Sequence, residues 1–216
     1  ELLRRKREPL LLTGPRGDAD SRIRNLLEFL EVEIVKPPTA LRADIGRPGL
    51  GLEPEDKQKL EGVETVLHCA AVTSFAGSRE KLLRSVNLQG AMNVLNSVPR
   101  CRHFYHVSTA YVAGKTSGKC YESAPEAQDF NNFYEETKKL AEDAVTDLCR
   151  RRNIRLTIFR PSITYGDSRT GRSIRFNALY YPVRVLLFLR DTIRRDIEEN
   201  GGKKAAELGG EIDPRG

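Results

Sequence analysis

The chain has 216 residues, 39% of them hydrophobic and 31% charged, with a formal net charge of +6. That length suits one domain with a substantial core and a small appendage, and the composition argues against wholesale disorder. The basic residues fall in short runs, LRRKRE, CRRRNIR and RDTIRR, that alternate with acids on predicted helices, so they read as solvated faces and exclude a nucleic-acid function. Cys69, Cys101, Cys120 and Cys149 have neither metal nor redox spacing, which points to reduced thiols and a cytoplasmic setting, with no bound metal. No signal peptide and no apolar run near ~20 residues is present. The first residue is Glu and not Met, so a fragment is expected.

ELLRRKRE reads as the last turns of a helix and PLLLT as a short buried strand. Two readings compete for TGPRGDADSR. In one, Thr13-Gly14-x-x-Gly17 is a glycine turn at a dinucleotide pyrophosphate, but its third glycine position falls on Asp20, a negative residue that would repel phosphate. In the other, which is favoured, PLLLT is a second strand, and Arg16 in the loop after it meets an adenosine 2′-phosphate. A plain surface turn is the alternative to both. Ile23, Leu26, Leu27 and Leu30 have helical spacing and predict a helix over 21–30. EVEIV is then a predicted strand and PPTALRADIGRPGLG a Pro/Gly-rich connection. Asp44 in that connection could accept from an adenine amino group or merely close a turn. Pro54-Glu-Asp starts a short helix, with acids at its favourable end. VETVLHCAAVTSF is the most buried-looking strand; Ala70 and Ala71 at its end would let a flat ligand approach, or would pack a helix. A long helix from about Ser78 to Asn96 carries Asn87 and Gly90.

The stretch from Phe104 to Lys138 concentrates the chemistry. The strand HFYHVS ends at two hydroxyls, Ser108 and Thr109, and after a polar loop a helix is predicted to begin near Asn131. Tyr134 and Lys138, four apart, share one face of that helix, so a phenol and an ammonium can meet at one spot. A cation favours the phenolate, and a strand-end hydroxyl can hold a carbonyl beside it, which together make an arrangement for moving a proton. Tyr-x-x-x-Lys alone is common and can equally be a solvated face. Leu140, Ala144 and Leu148 predict the buried stripe of this helix, and IRLTIFRPS a further strand ending at Arg160-Pro161. His103 and His106, three apart on a strand, point to opposite faces and cannot share a metal with Cys101. Alternating short apolar strands and helices predict a doubly wound parallel sheet, with Asp44, Ala70-Ala71, Ser108-Thr109 and Pro161 on the one edge where such sheets bind ligands.

ADIGRPGLGL, VLHCAAVTSF, SVNLQGAMNVL, HVSTAYVAG, YEETK and RPSITYGDSRTG resemble the extended short-chain dehydrogenase/reductases, and within them the male-sterility type branch of fatty acyl-CoA reductases and thioester reductase domains. The resemblance runs from about residue 8 to 195. It implies a Rossmann-like fold over 1–165 and a short, largely helical substrate segment over 166–216. It implies that Thr109, Tyr134 and Lys138 carry the chemistry. It also implies that Asp44 and Ile45 lie at the adenine, Ala70, Ala71 and Asn87 along the cofactor, and Pro161 and Ile163 at the nicotinamide. NADPH, with Arg16 at its 2′-phosphate, is expected ahead of NADH, and an acyl group on coenzyme A or a carrier protein is the expected substrate. A nucleotide-sugar epimerase or dehydratase and a non-catalytic relative are the alternative expectations. The spacing from PLLLT to Ala43-Asp44-Ile45 departs from the family pattern in a way that expects the first strand and glycine loop to be missing, with room for one strand between PLLLT and VLHCA. In the C-terminal part, Phe176–Leu187 is read as an acyl channel or as core packing with equal weight, a membrane-surface helix as the weaker reading, and GGKKAAELGGEIDPRG as a loose tail. Oligomeric state stays open.

Overall fold

The computed structural model describes residues 2, 5, 7–15, 17–31, 37–123, 129–173 and 180–202. The chain divides into two units, Glu1–Ser162 and Ile163–Gly216. The first unit is Rossmann-like, built from parallel strands and helices. Its strands are β1 (Leu11–Thr13), β2 (Ala40–Arg42), β3 (Thr65–His68), β4 (His103–Val107) and β5 (Arg155–Phe159). β1 pairs with β2, and β3-β4-β5 form a second ladder, all in parallel register. Both ladders share one core, in which Leu41, Leu95, Phe104 and Val145 are buried, with Leu12 and Val66 packed against them.

The expectation that PLLLT stays apart from VLHCA agrees with this topology: among the described residues no ladder joins β1 to β3. Arg16, on which the 2′-phosphate expectation rests, lies outside the described residues, as does the predicted strand EVEIV beyond Glu31. Two other expectations are corrected. The stretch read as a Pro/Gly connection contains β2, because Ala40-Leu41-Arg42 follows Pro38 in extended form and lays Leu41 into the core beside β1. The supposedly most buried strand is only four residues long, and Leu67 in it is 56% exposed, because alternate side chains leave opposite faces: Val66 and His68 turn to the packed face and Leu67 to the other.

Helix α1 (Ala19–Phe29) starts two residues earlier than its apolar spacing suggests, since Asp18 caps it by accepting from the Asp20 and Ser21 backbone N–H groups. α2 (Pro54–Gln58) follows its proline. The long crossing helix is interrupted: α3 (Glu80–Leu83) runs through a π-turn at Arg84–Gln89 into α4 (Gly90–Asn96). Gly90 lets Ile45 pack closely there, since a β-carbon on it would stand 2.9 Å from Ile45 Cδ1 and push that side chain aside. α5 (Phe133–Arg151) buries Thr137, Lys138, Ala141, Val145 and Cys149. Its buried stripe therefore lies one residue beyond the predicted Leu140–Ala144–Leu148 line, because the face carrying Tyr134 and Lys138 turns inward. In the second unit, α6 (Tyr180–Asn200) leaves Val183, Leu186, Leu187, Phe188 and Leu189 exposed. Among the described residues no helix is long and apolar enough to cross a membrane. The part of the expected channel at 176–179, and the tail beyond 202, lie outside the described residues.

Gly114 closes the turn after β4 with φ +55°, and an added β-carbon would overlap the Asp129 carbonyl oxygen, which also accepts from Lys115 N–H at 3.0 Å. Gly114→Ala is expected to cost about 2 kcal/mol or more, since the strained backbone and the overlap act together. Chemical denaturation of the two proteins checks this; equal midpoints would contradict it.

Candidate functional site

The site grows from the start of α5. Asn132 caps the helix, its Oδ1 accepting from Glu135 N–H at 3.1 Å. The Glu135 carboxylate reaches back to accept from Asn131 N–H at 2.9 Å and from the Asn131 and Asn132 side-chain amides. This reciprocal cap fixes the first turn, and so fixes where Tyr134 points. One turn on, Lys138 is buried beneath the helix, and its Nζ donates to the Val107 carbonyl of β4 at 2.8 Å. Thr109 follows two residues after Val107 in extended conformation, and its Oγ1 accepts from Tyr111 N–H. The carboxyl ends of β4 and β5 stay joined beyond the ladder, with Ser108 N–H donating to Phe159 O at 2.7 Å and Ala110 N–H to Pro161 O at 2.9 Å. Thr109, Tyr134, Lys138 and Pro161 are thus held at one strand-end edge.

Burial pushes the Tyr134 phenol above its ordinary pKa; the Thr109 hydroxyl beside it pulls the other way, and Tyr111 adds a smaller upward push. The helix N-terminus at which it sits favours the phenolate. Burial also lowers Lys138 to about 8, with Glu142 and Cys69 opposing that fall. The Lys138 ammonium faces β4, so the burial of the phenol outweighs the cation effect expected from Tyr-x-x-x-Lys spacing. The phenol is therefore protonated at neutral pH.

Other predicted residues take definite places. Asn87 is buried in the π-turn, where its Oδ1 accepts from Val72 N–H at 2.8 Å and its Nδ2 donates to Val72 O and Thr137 Oγ1. It ties the loop after β3 to α5, and so positions Ala70 and Ala71, which are exposed and half-buried. Asp44 closes a turn, accepting from Gly46 N–H at 3.0 Å, while the Ile45 carbonyl accepts from Asn93 Nδ2 at 2.8 Å. Ile163 falls in the second unit and is exposed.

Sequence reading missed three features. Phe75 and Tyr111 form an aromatic collar at the phenol: Phe75 meets the Tyr134 ring edge-on at 5.6 Å and the Tyr111 ring at 6.3 Å. Both are exposed, and only their closeness to the strand end could have signalled them. Beneath Lys138, His68 and His106 stack 5.5 Å apart, with Phe104 against both. Paired register on β3 and β4 puts the two imidazoles side by side. The third is Arg160, which clasps Glu142 on α5.

A cofactor fits this edge on the observations at hand. Lys138 has three N–H donors and uses one on Val107. Among the described residues the buried Ser108 hydroxyl at the same strand end has no hydrogen-bond partner, and Ala70 is exposed.

The comparisons with known proteins agree in direction. The model of a nicotinamide-dinucleotide-binding family described as male sterility protein matches residues 2–204. A probable fatty acyl-CoA reductase of Arabidopsis thaliana is 34% identical over 103 residues, covering 45% of this chain and 20% of the relative. The crystal structure of the terminal R domain from the myxalamid biosynthetic pathway superposes with a TM-score of 0.74 at 25% identity, over 84% of this chain and 49% of that one. A UDP-glucose 4-epimerase structure, at 19% identity and a TM-score of 0.60 over 77% of this chain and 47% of that one, shares the fold. The chain therefore spans about a fifth of the curated relative and about half of the solved reductase domain.

Burial lowers His68 to about 4 and His106 to about 2, helped in each case by the Lys138 charge. Both pKa values are depressed on folding, so the unfolded chain binds more protons below about 6.5, and stability must fall as pH drops from there towards 4. His68 alone would contribute a loss of roughly 3 kcal/mol across that window. His106→Phe should flatten the acid limb of a denaturation midpoint against pH curve; an unchanged limb would contradict the assignment.

Proposed function

The chain belongs to the male sterility protein family, and from that membership we propose that it takes part in the NADPH-dependent reduction of an acyl thioester, carried on coenzyme A or a carrier protein, to the aldehyde or alcohol. The observation that carries the reading is the Tyr134 phenol, protonated and buried, at a strand end beside the Thr109 hydroxyl, with Lys138 one helical turn behind it. A nicotinamide bound along Ala70, Ala71 and Pro161 would supply the hydride to the carbonyl carbon.

Each side chain then has a task. The Thr109 hydroxyl orients the carbonyl oxygen. Tyr134 donates its proton to that oxygen as negative charge develops there, and the helix N-terminus under it eases the phenolate that remains. Lys138 keeps one N–H on Val107 and offers the others to a ribose hydroxyl; its pKa near 8 leaves it mostly charged at neutral pH. Asn87 keeps the Ala70–Val72 loop in place without reaching the reacting atoms. The collar of Phe75 and Tyr111 offers an acyl group an apolar wall, which supports the thioester reading. The choice of NADPH over NADH rests on Arg16.

Tyr134→Phe should lower kcat with an acyl-CoA and NADPH by about a hundredfold or more while leaving the fold intact by circular dichroism. Full turnover in that variant would overturn the reading. Lys138→Met should weaken cofactor binding as well as rate, measured by titration of NADPH fluorescence; unchanged affinity would remove Lys138 from the cofactor.

If the collar meets the acyl group, Phe75→Ala should raise KM roughly threefold to tenfold, with Phe75→Leu in between. In the same assays kcat/KM should rise with chain length, each buried CH₂ being worth up to ~0.8 kcal/mol. A flat length profile together with turnover of a sugar nucleotide would favour the epimerase alternative.

A further inference from the structure

The face of α5 that carries Tyr134 and Lys138 continues to Glu142, at positions i, i+4 and i+8, and all three side chains are buried. Glu142 has only 3% of its side chain exposed. It is gripped by Arg160 at the end of β5: Nη2 donates to Oε2 at 2.7 Å, and Nε donates to Oε1 at 3.0 Å and Oε2 at 3.2 Å. Arg160 Nη1 also donates to the Glu122 and Ser123 carbonyls at 3.1 and 2.9 Å, fastening the loop that leads from β4 to α5. The next residue is Pro161, whose carbonyl holds Ala110 beside Thr109.

We propose that Glu142 and Arg160 form a positioning pair that sets the charge state of Lys138 and the register of α5 against the β5 end, and so tunes the proton-handling site without touching substrate. The inference rests on the reductase reading of Tyr134 and Lys138.

An unshared carboxylate one turn from a buried ammonium would swing onto it and hold it strongly charged. Arg160 draws the Glu142 oxygens towards β5, so Lys138 feels the carboxylate only across a helical turn, and its ammonium stays on the Val107 carbonyl. The groups facing Lys138 are Tyr134 and Glu142 on its own helix, His68 and Cys69 at the end of β3, and His106 on β4. The two histidines are neutral at working pH, so Glu142 is the nearest permanent anion in the set. Arg160 is the cation that governs how much of it Lys138 experiences.

The test is the Lys138 titration, followed through its ¹³Cε resonance in lysine-labelled full chain and assigned by its loss in Lys138→Met. Glu142→Gln should lower the Lys138 pKa by about half a unit or more. Arg160→Met should raise it, because the released carboxylate turns to the ammonium. Glu142→Asp should restore part of the wild-type value. With an acyl-CoA and NADPH, the alkaline limb of kcat/KM should move in the same directions. A pair that merely holds the fold together would lower the melting temperature in both variants and leave the Lys138 titration where it was, and that result overturns the proposal. So would shifts of the same sign in both variants. If Arg160→Met does not fold, the downward shift in Glu142→Gln and its recovery in Glu142→Asp still decide. Opposite resonance shifts in proteins that reduce no thioester would uphold the coupling and sink the reductase reading instead.

Discussion

A buried ammonium governs this molecule. Lys138 is 1% exposed and charged at neutral pH, with its nitrogen on a backbone carbonyl at the end of β4. Burying such a charge is costly unless its surroundings are arranged for it, and the arrangement here spans every element around it. Val107 supplies the acceptor, Glu142 the distant anion, and His68 and His106 lie beneath as neutral rings that cannot repel it. Among the described residues, the buried nitrogens of those imidazoles and the Ser108 hydroxyl have no hydrogen-bond partner. Unpartnered buried polar atoms weaken a fold, and here they gather around one lysine and one strand end.

Much of this was legible in the sequence because it depends on period and spacing. Tyr134 and Lys138 share a helix face by virtue of being four apart, and HFYHVS reads as a strand by its alternation, with Phe104 and His106 inward and His103 turned to Thr157 Oγ1 on the neighbouring strand. The strand-end edge followed from parallel order alone. What stayed hidden depends on contacts between distant segments. Nothing near Ala40–Arg42 announces a strand; it exists because β1 lies beside it. Nor does spacing reveal that Asn87 spends its amide on Val72 and Thr137, or that Phe75 closes on Tyr134 from a loop 59 residues away in sequence. The α5 stripe lies one residue beyond Leu140, Ala144 and Leu148, because the face carrying Lys138 is the buried one.

The two sides of the site are built to different tolerances. β4, β5 and α5 are bound by ladders, the Asn132–Glu135 cap and the Arg160 clasp, so Thr109, Tyr134 and Lys138 have little freedom. Among the described residues β3 has a ladder on one side only, and the loop beyond it is held through Asn87.

This asymmetry separates two kinds of substitution. On the proposed reductase reading, changes at the rigid side alter the phenol, the ammonium or the register between them, and they reach kcat and its pH dependence, with Lys138 reaching cofactor affinity as well. Changes at the β3 side act on how well a flat ligand is received against Ala70 and Ala71, and they reach affinity. Asn87 spans the division, since one amide joins the β3 loop to Thr137 on α5, one residue before Lys138. The π-turn that carries it is the reason it can: widening the helix by one residue between α3 and α4 turns Asn87 inward at full burial, where its amide meets both segments. The irregularity in the crossing helix thus ties the loop after β3 to the helix that carries Tyr134 and Lys138.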